Sequence, residues 1–325
     1  MWWWPHRAVA APVAAGPLLL VSAPEAVVAL STLTGHEAWR AELGAPLSRP
    51  VVVLADTVVA WTDDGALHGL ELGRGVTRWH KMFAAPSAGG LVTVGSTVAA
   101  AAADGRLLGF EPEHGTVSWT ARLAAAATSP LAAMPVSGQV VAITDGRRTV
   151  EAIDMRKGRH RWRLTLRNPV DLPPCPVGEA VWLAGGGQTG SLVQLDGATG
   201  AVVGTFRGGD AIAGMATDGR LLFASVAGPS RLIAVDHGGR VHLGATTPQV
   251  CPEPALSETH AYLADPAGRL LAVELDTGTF TGAANLAFDP LGPPQLIGDR
   301  LVFVARDGRL WATSPPGPSL PTDDW

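Results

Sequence analysis

The chain has 325 residues, of which 47% are hydrophobic and 16% charged, with 39 glycines and 26 prolines. This composition excludes a disordered chain and supplies the apolar material for a large core crossed by many turns. A net charge of -5 argues against a general nucleic-acid coat, and no run of about eighteen apolar residues escapes Pro, Gly or a charge, so no membrane insertion is expected.

The first residues, MWWWPHRA, lead into HRAVAAPVAAGPLLLVSA, whose basic start, apolar middle and small-residue end match a secretory leader. The same apolar pattern recurs along the whole chain, which favours reading these residues as strands. From there the sequence repeats itself: EAVVALSTLTGHEAW (25–39), DGALHGLELGRGVTRW (64–79), DGRLLGFEPEHGTVSW (104–119), RRTVEAIDMRKGRHRW (147–162), TGSLVQLDGATGAVVGTF (189–206), PSRLIAVDHGGRVHL (229–243), AGRLLAVELDTGTF (267–280) and DGRLWATSP (307–315). The residues that close the central strand are Leu30, Leu70, Phe110, Ile153, Leu195, Val235, Val273 and Thr313. Their spacings of 40, 40, 43, 42, 40, 38 and 40 lie in the range of four-stranded propeller blades.

Each copy reads as four short strands. An apolar segment such as RPVVVL (49–54) comes first, and a second strand runs into a tight turn at Asp64-Gly65, Asp104-Gly105, Asp145-Gly146 or Asp307-Gly308. The third strand ends at the anchor. A glycine follows, at Gly35, Gly75, Gly115, Gly158, Gly200, Gly239 or Gly278, and turns the chain into an outer strand that carries Trp39, Trp79, Trp119 or Trp162 in the first four copies. No segment sustains a 3.6-residue period with helix caps, so the expected class is all-β.

A four-stranded unit cannot cover both its faces, whereas eight packed radially cover one another. The expectation is one eight-bladed β-propeller of antiparallel blades over residues 1–316, with blades at about 7–43, 46–83, 87–123, 132–166, 174–206, 212–244, 253–284 and 293–315. The eighth copy breaks off after its third strand, and residues 2–6 resemble the missing Trp-bearing strand, so the N-terminus is expected to complete it. Residues 317–325 form a Pro-rich tail, read as extended.

The order of apolar strand, Asp-Gly, LxAxD, TG and Trp, clearest in LLAVELDTG (270–278) and LVQLDGATG (192–200), resembles the PQQ-like repeat of the quinoprotein family. The resemblance implies the propeller fold over nearly the whole chain, and two kinds of activity. Quinoprotein dehydrogenases imply a quinone and Ca²⁺ held with a vicinal cysteine pair. Here Cys175 and Cys251 are far apart and only Asn168 and Asn285 supply asparagine amides, so no cofactor, metal ligand or catalytic residue carries over. The other branch contains non-enzymatic scaffolds similar to the propeller lipoprotein of the outer-membrane barrel assembly machinery, which implies a non-catalytic protein-interaction scaffold. The alternative is a quinoprotein-like small-molecule binder or dehydrogenase that uses the axial pocket, and a second alternative is an envelope assembly factor.

Several candidate motifs fit the repeat itself. The four tryptophans occupy equivalent positions and read as packing residues. GGGQTG (185–190) matches G-x-G-x-x-G but lies between strands, where the dinucleotide fingerprint requires a following helix, so it reads as an enlarged turn. Cys175 and Cys251 stand before the first strands of blades five and seven, with one whole blade between them, beyond the reach of a disulfide, and are expected as free thiols, which agrees with a cytoplasmic protein. His36, His114 and His237 decorate turns, and no H-E-x-x-H or G-x-S-x-G motif occurs.

Blade four departs from the repeat. Arg147, Arg148, Arg156, Lys157, Arg159, Arg161, Arg163 and Arg167 place 8 of 24 basic residues within 21 positions. On strict alternation Arg159, Arg161 and Arg163 share one face of the outer strand. Such an edge either repels stray strand pairing or docks an acidic partner protein. The neighbouring loop TLRNPVDLPPCP (165–176) adds Arg167 and Asp171, giving a candidate partner-binding set of Arg156, Lys157, Arg159, Arg161, Arg163, Arg167 and Asp171 on a monomeric disc.

Overall fold

The computed structural model describes residues 1–83, 85–185, 190–207, 211–228 and 230–317. The motif at 185–190 therefore falls largely outside the described residues, as does the tail from 318 onward. Among the described residues every regular element is a strand, and none is a helix long and apolar enough to cross a membrane. The strands form eight four-stranded antiparallel sheets, the blades of a β-propeller. Blades one to seven each use four consecutive strands, at residues 13–42, 52–82, 87–122, 132–165, 175–207, 212–246 and 255–285. The eighth uses residues 295–313 and takes Trp2–Trp4 as its outer strand, as expected from the truncated last repeat.

Burial follows from this stacking. The two middle strands of a blade are covered on both faces and read as near-continuous apolar runs: Thr57–Trp61 and Ala66–Leu70 of blade two are buried throughout. The outer strand is covered only in part, and Thr116–Arg122 buries Trp119 and Ala121 while its other residues stay exposed. At the first turn the glycines of the Asp-Gly pairs take positive φ, +93° at Gly65 and +86° at Gly308. At the second turn, between the third and outer strands, the outer strand of blades one to seven carries one extra residue, a β-bulge.

The chain divides into two compact units. One comprises Trp4–Pro169 and Gly197–Ala201, the other Met1–Trp3, Val170–Asp196 and Val202–Trp325. In the first unit the apolar core consists of clusters between successive sheets, joining blade one to two, two to three and three to four. The four repeat tryptophans hold these layers. Trp39 Nε1 donates to Leu72 O at 2.9 Å, Trp79 Nε1 to Pro112 O, Trp119 Nε1 to Met155 O and Trp162 Nε1 to Gly197 O, the last three at 2.7 Å. Each ring also lies against the turn glycine of the following repeat. At Gly158, where φ is +66°, an added Cβ would stand 2.5 Å from the Trp119 ring, so the position needs glycine for both backbone and space.

The second unit has its own interblade clusters, five with six, six with seven and seven with eight. The tryptophan position is occupied by Gly204, Leu243 and Gly282, each paired across the strand with Gln194, Ala234 and Ala272 respectively. In blade eight Trp3 stacks on Trp311 with centroids 5.9 Å apart, Arg309 lies 5.4 Å from the Trp3 ring, and Trp311 stacks on Phe288 at 5.0 Å. Cation, indoles and phenyl thus hold the N-terminal strand to its sheet.

Candidate functional site

In blade four the third strand, Thr149–Asp154, ends in a tight turn built by one carboxylate. Asp154 Oδ1 accepts from the N–H groups of Arg156 at 2.9 Å and Lys157 at 3.0 Å, while the Asp154 backbone exchanges hydrogen bonds with Gly158 N and Arg159 O, both at 2.8 Å. These bonds fix residues 154–159 and leave the side chains of Arg156, Lys157 and Arg159 exposed. No ion pair joins any of those three side chains to a described residue.

The other two arginines of the outer strand are engaged, at separate carboxylates. Arg161 Nη2 donates to Asp154 Oδ2 at 2.5 Å. Burial pushes the Asp154 carboxyl up, but Arg161 and the two turn N–H donors outweigh it and hold it below the usual range. Arg163 Nε and Nη2 both donate to Glu151 Oε2, at 3.0 and 2.7 Å. Glu151 has no exposed side-chain surface, and its second oxygen accepts from Ala124 N at 2.8 Å and Thr144 Oγ1 at 2.9 Å. A carboxylate with four such donors can stay buried.

The expectation that Arg159, Arg161 and Arg163 share one face of the outer strand does not hold. The strand begins at His160, leaving Arg159 in the turn, and the ladder pairs Ile153 with His160 but Ala152 with Trp162. Arg161 is the extra residue of the bulge, and a bulge interrupts the period of two on which the expectation rests. What the structure brings together is a different subset. Arg156, Lys157, Arg159, His160 and Arg161, with Asp154, line one side of an open basin of about 600 Å³, and Pro135, Val136, Ser137 and Gly138 line the other.

The remaining predicted residues stand apart from it. Arg167 is exposed in the link after the outer strand. Asp171 belongs to the other unit, where its N–H donates to Ala184 O at 2.7 Å. Cys175 and Cys251 are free and buried, in the clusters between blades five and six and between six and seven. Burial, with Glu253 near the first and Asp265 near the second, pushes both thiols up to about 12, so neither is a nucleophile at neutral pH.

Three features escape a reading by spacing along the chain. Glu151 is one acid inside an apolar run, and its partner Arg163 lies directly across the ladder. His68 and His80 also face each other across strands, with ring centroids 4.7 Å apart, where a search for His pairs at helical spacing finds nothing. Burial, then the neighbouring His80, depress the His68 imidazole below its ordinary value. Ser137, in the hairpin facing the basic turn, has no neighbour in sequence that marks it. Glu111, Glu113 and His114 gather at the blade-three turn, where Glu111 accepts from the N–H groups of the other two in the same way as Asp154.

A family model described as outer membrane protein assembly factor BamB matches residues 4–132 and 103–249. No curated protein sequence matches the chain. Among solved structures, BamB from Moraxella catarrhalis is 18% identical, with 93% of this chain and 92% of that one covered and a TM-score of 0.70. The computationally designed Ika8 protein is 14% identical over 95% and 96% of the two chains, at a TM-score of 0.78. Quinohemoprotein alcohol dehydrogenase ADHIIG from Pseudomonas putida HK5 is 11% identical over 98% of this chain and 76% of that one, at 0.69. At these identities the structural likeness is one of fold, shared by an assembly factor, a designed protein and an enzyme. The repeat, the eight sheets and the match over residues 4–249 together show that the chain belongs to the family of the outer membrane protein assembly factor BamB.

Proposed function

We propose that the chain is a non-catalytic protein-interaction scaffold that docks an acidic partner protein at the turn and outer edge of blade four. The observation that carries this reading is the trio Arg156, Lys157 and Arg159, exposed beside a basin and without an ion pair among the described residues, next to Arg161 and Arg163, which are held by carboxylates of their own blade. Between residues 147 and 167 eight cations meet two carboxylates, Glu151 and Asp154, a local balance of +6 on a chain whose net charge is -5. A positive island on a negative chain steers an acidic surface to one place. The bulge at Arg161 blunts the strand edge, which favours recognition by side chains over strand addition. Arg167, exposed in the link after the outer strand, adds a further cation to the same blade.

The family description supports assembly work as the setting for such docking. The likeness to an alcohol dehydrogenase brings only the fold. Two free thiols fit the cytoplasm and the family description fits an envelope, so fractionation of a tagged chain decides the compartment. The docking reading is tested by reversing the trio to Arg156→Glu, Lys157→Glu and Arg159→Glu and capturing partners on immobilised protein at about 0.15 M salt. A discrete acidic protein retained by the wild type and lost by the variant, at unchanged melting temperature, is the expected result. Retention of the same proteins by both chains would overturn it.

A further inference from the structure

The basin at blade four is more than a charged edge, because its two sides differ in chemistry. On one side stand Arg156, Lys157 and Arg159, cations with no ion pair among the described residues; on the other, Pro135 and Val136 at the hairpin between the first two strands of the blade. Val136 is 66% exposed, and an exposed valine alone needs no explanation. Here it forms the apolar wall of a concavity of about 600 Å³ whose opposite wall is cationic. On the same hairpin Ser137 Oγ is covered from solvent and has no hydrogen-bond partner among the described residues.

We infer that this basin accepts a short extended acidic segment of a partner protein that carries an apolar side chain between its carboxylates: the carboxylates meet Arg156, Lys157 and Arg159, and the apolar side chain covers Pro135 and Val136. The inference rests on the docking reading above and specifies its ligand. A small inorganic anion satisfies the cations and leaves the apolar wall uncovered, and an evenly acidic surface does the same. Guanidinium and ammonium heads fix the carboxylates while burial of one aliphatic side chain adds discrimination, the division between polar rim and apolar anchor found at protein interfaces.

The test is a titration of the full chain with two labelled peptides, followed by fluorescence anisotropy: one has a leucine flanked on both sides by aspartates, and its counterpart has glycine in place of the leucine. The wild type is expected to bind the leucine peptide about tenfold more tightly, the return for burying one aliphatic side chain. Val136→Ser, at an exposed turn where folding is not at risk, should abolish that preference and keep the weaker binding of the glycine peptide. Equal affinity for the two peptides on the wild type would overturn the apolar anchor, and the docking reading would still stand provided the Arg156→Glu, Lys157→Glu, Arg159→Glu chain loses both. If inorganic phosphate displaces both peptides equally and Val136→Ser changes nothing, the basin is an anion site and the inference fails. Binding of neither peptide overturns this inference, while the docking reading is decided by the capture experiment with the reversed trio.

Discussion

In the unit of blades one to four a single residue type does two jobs at each outer strand: the indole ring covers the next repeat's turn glycine, and its N–H reaches a carbonyl of that turn. In the unit of blades five to eight these jobs are divided. Blade five has Gly204 at the tryptophan position, and Gln194 opposite it supplies the donor, with Nε2 reaching His237 O at 2.7 Å. The ring comes from Phe206, two residues further on, which lies against Gly239 and 5.3 Å from Trp182. Blade six keeps only the apolar part, Leu243 against Gly278. In blade seven Gly282 leaves room for the backbone of Pro316 and Gly317. The recurring requirement is a covered turn glycine, with a donor for the facing carbonyl where one is present; the identity of the covering group is free to change.

The largest effect that separates the units is expected at the indoles. Trp119→Ala should cost about 4 kcal/mol in urea unfolding, because it loses a buried ring and orphans the Met155 carbonyl, against about 2 for Leu243→Ala. Equal losses would mean that the tryptophans are no more than apolar cover. Next comes Glu151→Ala, about 3 kcal/mol, since it strands Arg163, Ala124 N and Thr144 Oγ1 together. A loss no greater than that of a surface substitution would show the blade-four ion pair to be incidental. Gln194→Leu tests the divided arrangement: removal of the donor to His237 O should cost about 1 kcal/mol, and no cost would break the equivalence of Gln194 with an indole N–H.

The smallest expected effect is one of pH. The folded pKa of His68 is depressed from 6.5, so between that value and the lower folded one the unfolded chain binds more protons. Its contribution to stability is complete above pH 6.5 and is lost as pH falls through this window. His68→Gln should flatten the pH dependence there in a series of thermal melts; an unchanged slope would assign the dependence to other groups.

Repeat number, strand order and the closing role of the first residues were legible because they depend on local periodicity and on turn chemistry that recurs every forty residues or so. Gly75 and Gly158 announce their turns whatever surrounds them. The blade-four site was legible as a concentration of charge and illegible as an arrangement. Nothing in RKGRHRW shows that one extra residue enters the outer strand at Arg161, and without that the alternation of Arg159, Arg161 and Arg163 looks intact. Nor does the sequence say which arginines find acids at home, since Glu151 is twelve positions from Arg163 and meets it only across a ladder.

The sequence by itself determined the all-β class, the eight blades, the positions of the turns and the excess of cations in one blade, all properties set by neighbours along the chain. Tertiary structure alone decided which cations remain unpaired, where a hairpin valine and serine come to face them, and which side chain covers each turn glycine. Those outcomes depend on pairs of residues brought together by strand register and by the packing of one sheet on the next, and a single bulged residue is enough to change them.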